Sequence, residues 1–449
     1  MGMSDLEDQI GQWRDWVLRR RAITADDAAE LEDNLRGRVA DLRAGGLDDD
    51  EAFLVAVRRM GNLDDVSREF AREHSERLWK QLVLVPQATT NDRRWRDLGV
   101  LVALAVCAGI AVKALLALGD GARFGLDVGF AVLPFLAAYF AWSRRPSRLV
   151  VATLVGLTAA VALAVNLYPF VDVPDAPATT LVLAAAHLPV LLWLLLGVAY
   201  AGGRWREHEQ RMDFVRFTGE LVVYFALIAL GGGVLLALLF ATFGAVDIDV
   251  STFVQTWLMP FAVPGAFFVA AWLVEAKKSV VENMAPVLTR VFTPLTIVLL
   301  AATFVALLAG APLATVDRDL LTLMDAMLLL VLGLLLYSIS ARDPLAPARL
   351  FDRLQLVLVV VALAVNVLAL TAMVTRIADA GWTANKLAAF GLDVVLCVHL
   401  VGTGWLLWRF LRGRGTFDAV ERWQTRYLPV YAAWAAVVVL VFPPAFSWA

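Results

Sequence analysis

Apolar runs of membrane-crossing length, with few charges, recur eleven times between residue 97 and the C-terminus. They lie near 97–118, 125–142, 148–168, 180–201, 214–243, 253–274, 287–310, 321–340, 352–373, 386–409 and 427–446. About 20 apolar residues cross a bilayer as a helix, because in hydrocarbon every backbone N–H and C=O must find its partner inside the segment. None of the runs alternates apolar and polar residues as the strands of a membrane barrel do. The pattern predicts an all-α polytopic transmembrane helical bundle of eleven spans over residues 97–449. Hydrophobic residues make up 60% of the chain, well above the roughly 45–50% of soluble proteins.

Loop charge predicts the orientation. Basic residues concentrate in alternate loops, as in Arg144, Arg145 and Arg148, in Arg204, Arg206, Arg211 and Arg216, and in Arg409, Arg412, Arg414, Arg422 and Arg426. The intervening loops hold Arg123, Arg318, Arg376 and Lys386 but also Asp172, Asp175, Asp247, Asp249, Asp317 and Asp319. The positive-inside rule then puts the N-terminus in the cytoplasm and the C-terminus outside. Residues 1–30 are charged throughout and have no apolar core of the signal-peptide type. The expectation is a multi-pass protein of the cytoplasmic (inner) membrane with residues 1–96 on the cytoplasmic side. Cys107 and Cys397 both fall inside spans, so neither a disulfide framework nor a cysteine metal site is expected.

Residues 1–85 read as a separate soluble domain of four amphipathic helices, joined to the membrane part by a linker over 86–96. Leu6, Ile10, Trp13 and Val17 share one helical face. Leu31, Leu35, Val39 and Leu42 form the stripe of a second helix that runs from Thr24 to Ala44 and ends at Gly45-Gly46. A third helix starts at Asp48, with Glu51 three residues on, and buries Phe53, Leu54 and Val57. A fourth begins near Asn62 and presents Val66, Phe70 and Leu78. Acidic residues outnumber basic ones over residues 1–96, which argues against a nucleic-acid partner. With no catalytic cluster, the domain reads as an interaction module for a cytoplasmic protein partner, or as packing that shields one face of the membrane part.

The segment Ala44-Gly45-Gly46-Leu47-Asp48-Asp49-Asp50-Glu51-Ala52-Phe53, followed by Ala56, Met60-Gly61-Asn62 and Ser67-Arg68-Glu69-Phe70, resembles the bacterial permease-prefix domain. The resemblance covers about residues 5–80. It implies attachment to a membrane partner and a regulatory role, and it carries no catalytic residues across.

Polar groups at membrane depth mark candidate sites, since an ionisable side chain in hydrocarbon is costly and is kept where it serves a purpose. Arg376 to His399 is the densest such stretch. Measured along the predicted spans, Lys113, Asp127, Asn166, His187, Asp325, Asn366 and Asp393 fall in the outer half, with Arg376, Thr383, Asn385 and Lys386 just above. Glu220 and His399 lie deeper or toward the other face. The sharp reading is a pocket open to the outer side in which Lys113 or Arg376 meets an anionic group and Asp393 balances the charge. The plainer reading pairs these residues with one another or lets them snorkel to the surface. The plainer reading is preferred for Asp127, Asp325 and Asn166, and the two are even for Asp393. His187 lies two residues before Pro189, which frees a carbonyl about four residues earlier, so a structural bond suits it better than a metal. The candidate ligand-binding residues are thus Arg376, Thr383, Asn385, Lys386, Asp393, Lys113, His187 and Asn366. Catalytic residues, metal ligands and cofactors are not expected. Met259-Pro260 and Val263-Pro264 make the sixth span the best candidate for a broken helix.

Phe292-Thr293-Pro294-Leu295, the span with Asn366, Arg376, and Gly381-Trp382-Thr383-Ala384-Asn385-Lys386 are together similar to a family of bacterial multi-spanning membrane proteins of unknown function. Members carry an Arg and then Gly-Leu-Thr-Pro-Asn-Arg at the entry to a late span. Here Trp stands for Leu, Ala for Pro and Lys for Arg, and Lys lacks the bidentate reach of Arg. Locally, Thr383 is placed to cap the tenth span.

Three functions follow, in order. The first is a regulatory or sensory membrane protein whose membrane part binds a small molecule or lipid from the outer side and whose prefix relays the signal. The second is a secondary transporter or permease. The third is a membrane-embedded transferase acting on a lipid-linked substrate, disfavoured by the short first outer loop near Asp120. An enzyme is the lesser reading, because no P-loop, nucleotide fingerprint or nucleophile elbow is present.

Overall fold

The computed structural model describes residues 6–7, 9–11, 13–14, 25–44, 47–59, 91–118, 121–171, 177–276, 284–309 and 318–448. Among these every regular element is helical. The chain divides into two compact units, Met1–Arg94 and Trp95–Ala449.

In the first unit, α1 (Ala25–Ala44) and α2 (Asp49–Arg59) pack together. Their apolar stripes close a small core of Leu31, Leu35, Val39, Ala52 and Ala56, completed by Leu6, Ile10 and Trp13. The residues of the first segment and of α1 are those of the stripes read from the sequence, whereas α2 buries Ala52 and Ala56 and leaves Phe53 and Val57, expected to be buried, only partly covered. Arg36 fastens the first segment to α1. Its guanidinium donates to both oxygens of Glu7 at 2.7 and 2.8 Å and to Glu32 at 3.0 and 2.9 Å. That fork of hydrogen bonds holds the Glu7 carboxyl below its usual range. The expected fourth helix, from Asn62, lies outside the described residues.

Among the described residues of the second unit, eleven helices are long and apolar enough to cross a membrane. They are α3 (Asn91–Leu118), α4 (Gly121–Arg144), α5 (Arg148–Leu167), α6 (Thr179–Tyr200), α7 (His208–Gly244), α8 (Ser251–Ala276), α9 (Met284–Ala309), α10 (Arg318–Ser340), α11 (Leu350–Ala380), α12 (Ala384–Leu411) and α13 (Phe417–Ala445). The protein is an integral membrane protein, an all-α polytopic bundle. α6 and α13 form its middle. α6 packs against α4, α5, α7, α12 and α13, while α13 packs against α5, α6, α7, α10 and α12. α9 to α12 form one connected block, and α7 packs against both α8 and α10 of that block.

Several helices outrun their apolar runs. α7 has 37 residues, about 55 Å at 1.5 Å per residue, against a hydrocarbon core of about 30 Å. α13 starts at Phe417, ten residues before its apolar run. Charge marks where a helix leaves hydrocarbon, not where it ends.

α8 is continuous across Pro260, where a break was expected. A π-helical turn over Val254–Leu258 precedes the proline. Pro260 has no N–H for the carbonyl of Thr256, and Lys113 of α3 supplies a donor in its place, Nζ to Thr256 O at 3.0 Å. The ammonium also sits 3.1 Å from the centre of the Trp257 ring.

Candidate functional site

α12 is where polar chemistry and close packing meet. It can lie tightly against α13 because two of its glycines leave room for indoles. A Cβ on Gly391 would fall 1.9 Å from the Trp434 ring, and one on Gly402 would fall 2.3 Å from the Trp423 ring. The two glycines are eleven residues apart, as are the two tryptophans, so the antiparallel helices are keyed at two levels three turns apart.

Between α12 and its other neighbours lies a buried acid. Asp393 is 1% exposed and Asn366 of α11 is fully buried. Asn366 Nδ2 donates to the Asp393 backbone carbonyl at 3.2 Å and to Asp393 Oδ1 at 3.3 Å. The Asp325 carboxyl of α10 completes the group, in hydrogen-bonding contact with Asp393. Asp393 lies about 14 Å along α12 from its first turn and Asp325 about 10 Å along α10, so the pair sits well inside the spans. The same helices contribute Met324, Leu328, Ala362, Val365, Ala369 and Leu396 to one apolar core.

The pair is electrically incomplete. Among the described residues neither carboxyl is ion-paired. Asp393 Oδ2 and Asn366 Oδ1 are buried with no hydrogen-bond donor. Two ionised carboxylates in contact would offer only acceptors to each other, whereas a proton on either one turns the contact into an O–H···O bond. The arrangement can therefore hold and exchange a proton.

Toward the other end of α12 the polar groups pair with α13, and His399 Nε2 and Gln424 Oε1 are left buried without a hydrogen-bond partner. His399 is 1% exposed. Its ring stacks on Tyr427 at 4.7 Å and its Nδ1 meets the Tyr431 hydroxyl at 2.5 Å. Its carbonyl accepts from Trp423 Nε1 at 3.0 Å and Thr403 Oγ1 at 2.9 Å. Gln424 Nε2 donates to Thr403 Oγ1 at 2.9 Å, and the Gln424 side chain faces the His399 ring. This network locks α12 to α13 and has the hydrogen bonds of a structural clasp.

The residues singled out from the sequence divide into three groups. Asp393 and Asn366 are brought into contact. Arg376, Thr383, Asn385 and Lys386 form the α11–α12 hairpin above them. There Gly381 at φ +72° ends α11, Thr383 caps α12 through Lys386 N at 3.4 Å, and Lys386 Nζ donates to the carbonyls of Arg376 and Gly381 at 3.0 and 2.9 Å. Lys113 and His187 lie elsewhere. Lys113 is engaged by α8, and His187 Nδ1 bonds the Leu183 carbonyl of its own helix at 2.9 Å, one turn back and not on the Ala185 carbonyl that Pro189 frees. Asn166 pairs with Asp127 at 3.0 Å. Asp325, read from the sequence as a structural residue, joins the site. Its shared depth with Asp393 was the available signal.

No protein-family model, curated protein or solved structure matches this chain.

Proposed function

We propose that the membrane unit is a proton-coupled secondary transporter of the permease type, with Asp325 and Asp393 as the group that takes up and releases the coupling proton. One observation carries this reading. Two carboxyls touch inside the bundle without a counter-cation, beside an asparagine whose carbonyl has no donor. A purely structural buried acid would be expected to end in an ion pair or to be saturated by donors, as Asp352 in the first turn of α11 is. That side chain, 2% exposed, is held by Arg342 at 2.8 Å and by the Arg349 N–H at 2.7 Å. In membrane proteins, unbalanced acids facing a bundle interior mark ion and proton pathways. Asn366 orients Asp393, and the α11–α12 hairpin with Lys386 stands at the entrance from the outer side.

The test is proton movement in liposomes that hold the purified chain and a trapped pH dye, driven by an imposed membrane potential. The wild type should carry protons inward faster than empty liposomes, and Asp393→Asn should fall to the empty-liposome rate. Equal rates for the wild type and the variant would remove the carboxyl pair from the mechanism.

The regulatory reading stands second, and the separate core of the first unit favours it. In that case residues 1–85 hold a protein partner in a manner set by the state of the membrane unit. Capture of a partner by the full chain, lost when residues 1–85 are removed, would support it.

A further inference from the structure

The first turn of α7 and the first two turns of α13 converge at one end of the bundle. His208 opens α7, and Asp418, Glu421 and Thr425 fall on one face of α13 at i, i+3 and i+7. One ligand atom from each of His208, Asp418 and Glu421 lies within 4.8 Å of the other two.

The hydrogen bonds determine which imidazole nitrogen faces the acids as a base. Thr425 is fully buried, and its hydroxyl donates to the Arg422 carbonyl at 3.2 Å. It therefore meets His208 Nδ1, 2.9 Å away, as an acceptor, and Nδ1 carries the ring proton. The lone pair of Nε2 then points toward Glu421 Oε2 at 3.8 Å. That separation is too long for a hydrogen bond. It is close to the spacing of two donors on one tetrahedral zinc ion, roughly 3.3–3.5 Å for bonds of about 2.0–2.2 Å. A histidine whose second nitrogen is fixed by an outer hydroxyl, with its free nitrogen facing carboxylates, is the pattern by which proteins orient metal-binding imidazoles.

We propose that His208, Glu421 and Asp418 form a site for a divalent transition-metal ion of the zinc class, which ties α7 to α13. One nitrogen and two carboxylate oxygens suit such an ion, and three protein ligands leave a fourth position for water. The Glu421 side chain is 10% exposed and that of Asp418 45%, so the site has a firm floor and an open side. Glu209, Arg211 and Arg422 also face His208. Arg422 holds Asp418 at 2.9 Å through an exposed ion pair. Such pairs are weak, and the metal would displace this one.

The test uses the full chain, purified without a polyhistidine tag and stripped with a chelator. Cobalt(II) is titrated and followed by its visible absorption, and zinc is then added in competition. The expected result is one ion per chain with a spectrum of mixed nitrogen and oxygen ligands, lost in His208→Ala and in Glu421→Gln. Thr425→Val, which removes only the acceptor for Nδ1, should weaken binding by about 10–100-fold. Thermal unfolding of the same samples guards against a misfolded variant, because zinc should raise the midpoint of the wild type and leave that of Glu421→Gln in place. Absence of a cobalt spectrum in the wild type, or unchanged affinity in His208→Ala with a native melting curve, would overturn the site. The transport reading stands or falls separately, since Asp393 plays no part here.

Discussion

Two cores of the membrane unit are made from similar apolar sequence and are put together differently. In the block of α3, α4, α6, α7 and α8, Phe140, Tyr200, Phe214 and Phe217 are buried and meet ring to ring. Phe140 stands edge-on to Tyr200 and Phe217 at 5.1 and 5.3 Å, while Tyr200 stacks on Phe217 at 4.7 Å. Trp193 and Trp205 extend the cluster. In the block of α9 to α13 the apolar residues are mostly aliphatic, and Asn366, Asp393, His399, Thr403 and Gln424 are buried among them. Rings fill space with specific geometry and little desolvation. Carboxyls and amides in the same surroundings cost free energy unless every donor and acceptor is matched. The first block is mainly a packing core, with Glu220 of α7 and Thr180 of α6 as its buried polar residues. The second leaves several buried polar atoms unmatched, on Gln355, Asn366, Asp393, His399 and Gln424, and at Asp325 and Asp393 it also brings two carboxyls together.

Substitutions separate the two kinds of core. The largest expected effect is functional. Asp393→Asn should abolish proton movement while leaving the thermal unfolding of the detergent-solubilised chain close to that of the wild type, because asparagine keeps the shape and can donate to Asp325. Next is Arg342→Ala. This guanidinium is bound to Asp352 and lies 4.1 Å from the Phe417 ring, so its loss strands a buried acid and should cost about 3–5 kcal/mol of stability. Third, Gly391→Ala should push Trp434 off α12 and cost about 1–3 kcal/mol, visible as earlier labelling of half-buried Cys397 on heating. The smallest effect belongs to Lys113→Met. It removes the donor to Thr256 O, should cost about 1 kcal/mol, and should leave proton movement unchanged. If Lys113→Met stopped proton movement as Asp393→Asn is expected to, the division between the blocks would fail.

Much of this architecture is legible in the chain, for a physical reason. Hydrocarbon favours long apolar helices with few charges, so the eleven apolar runs reappear as eleven helices long and apolar enough to span. Thr383 as the cap of α12 is equally local and equally legible. The starts of α7 and α13 are not, because amphipathic ends project past the apolar run, and Arg422 and Arg426, read as loop charges, lie on α13. Partners across helices are the least legible. Lys113 and Pro260 each stand out in the sequence, yet only packing brings the ammonium to the carbonyl that the proline frees. Depth places Asp325 and Asp393 at one level, but the adjacency of α10, α11 and α12 decides that they touch.

Infrared spectroscopy of the carboxyl C=O stretch, compared in H2O and D2O, tests most directly whether the pair holds an exchangeable proton. The wild type should show a protonated-carboxyl band that shifts on deuteration and is lost in Asp393→Asn. A wild-type spectrum without that band, or one that Asp393→Asn and Asp325→Asn both leave unchanged, would contradict a proton held between α10 and α12.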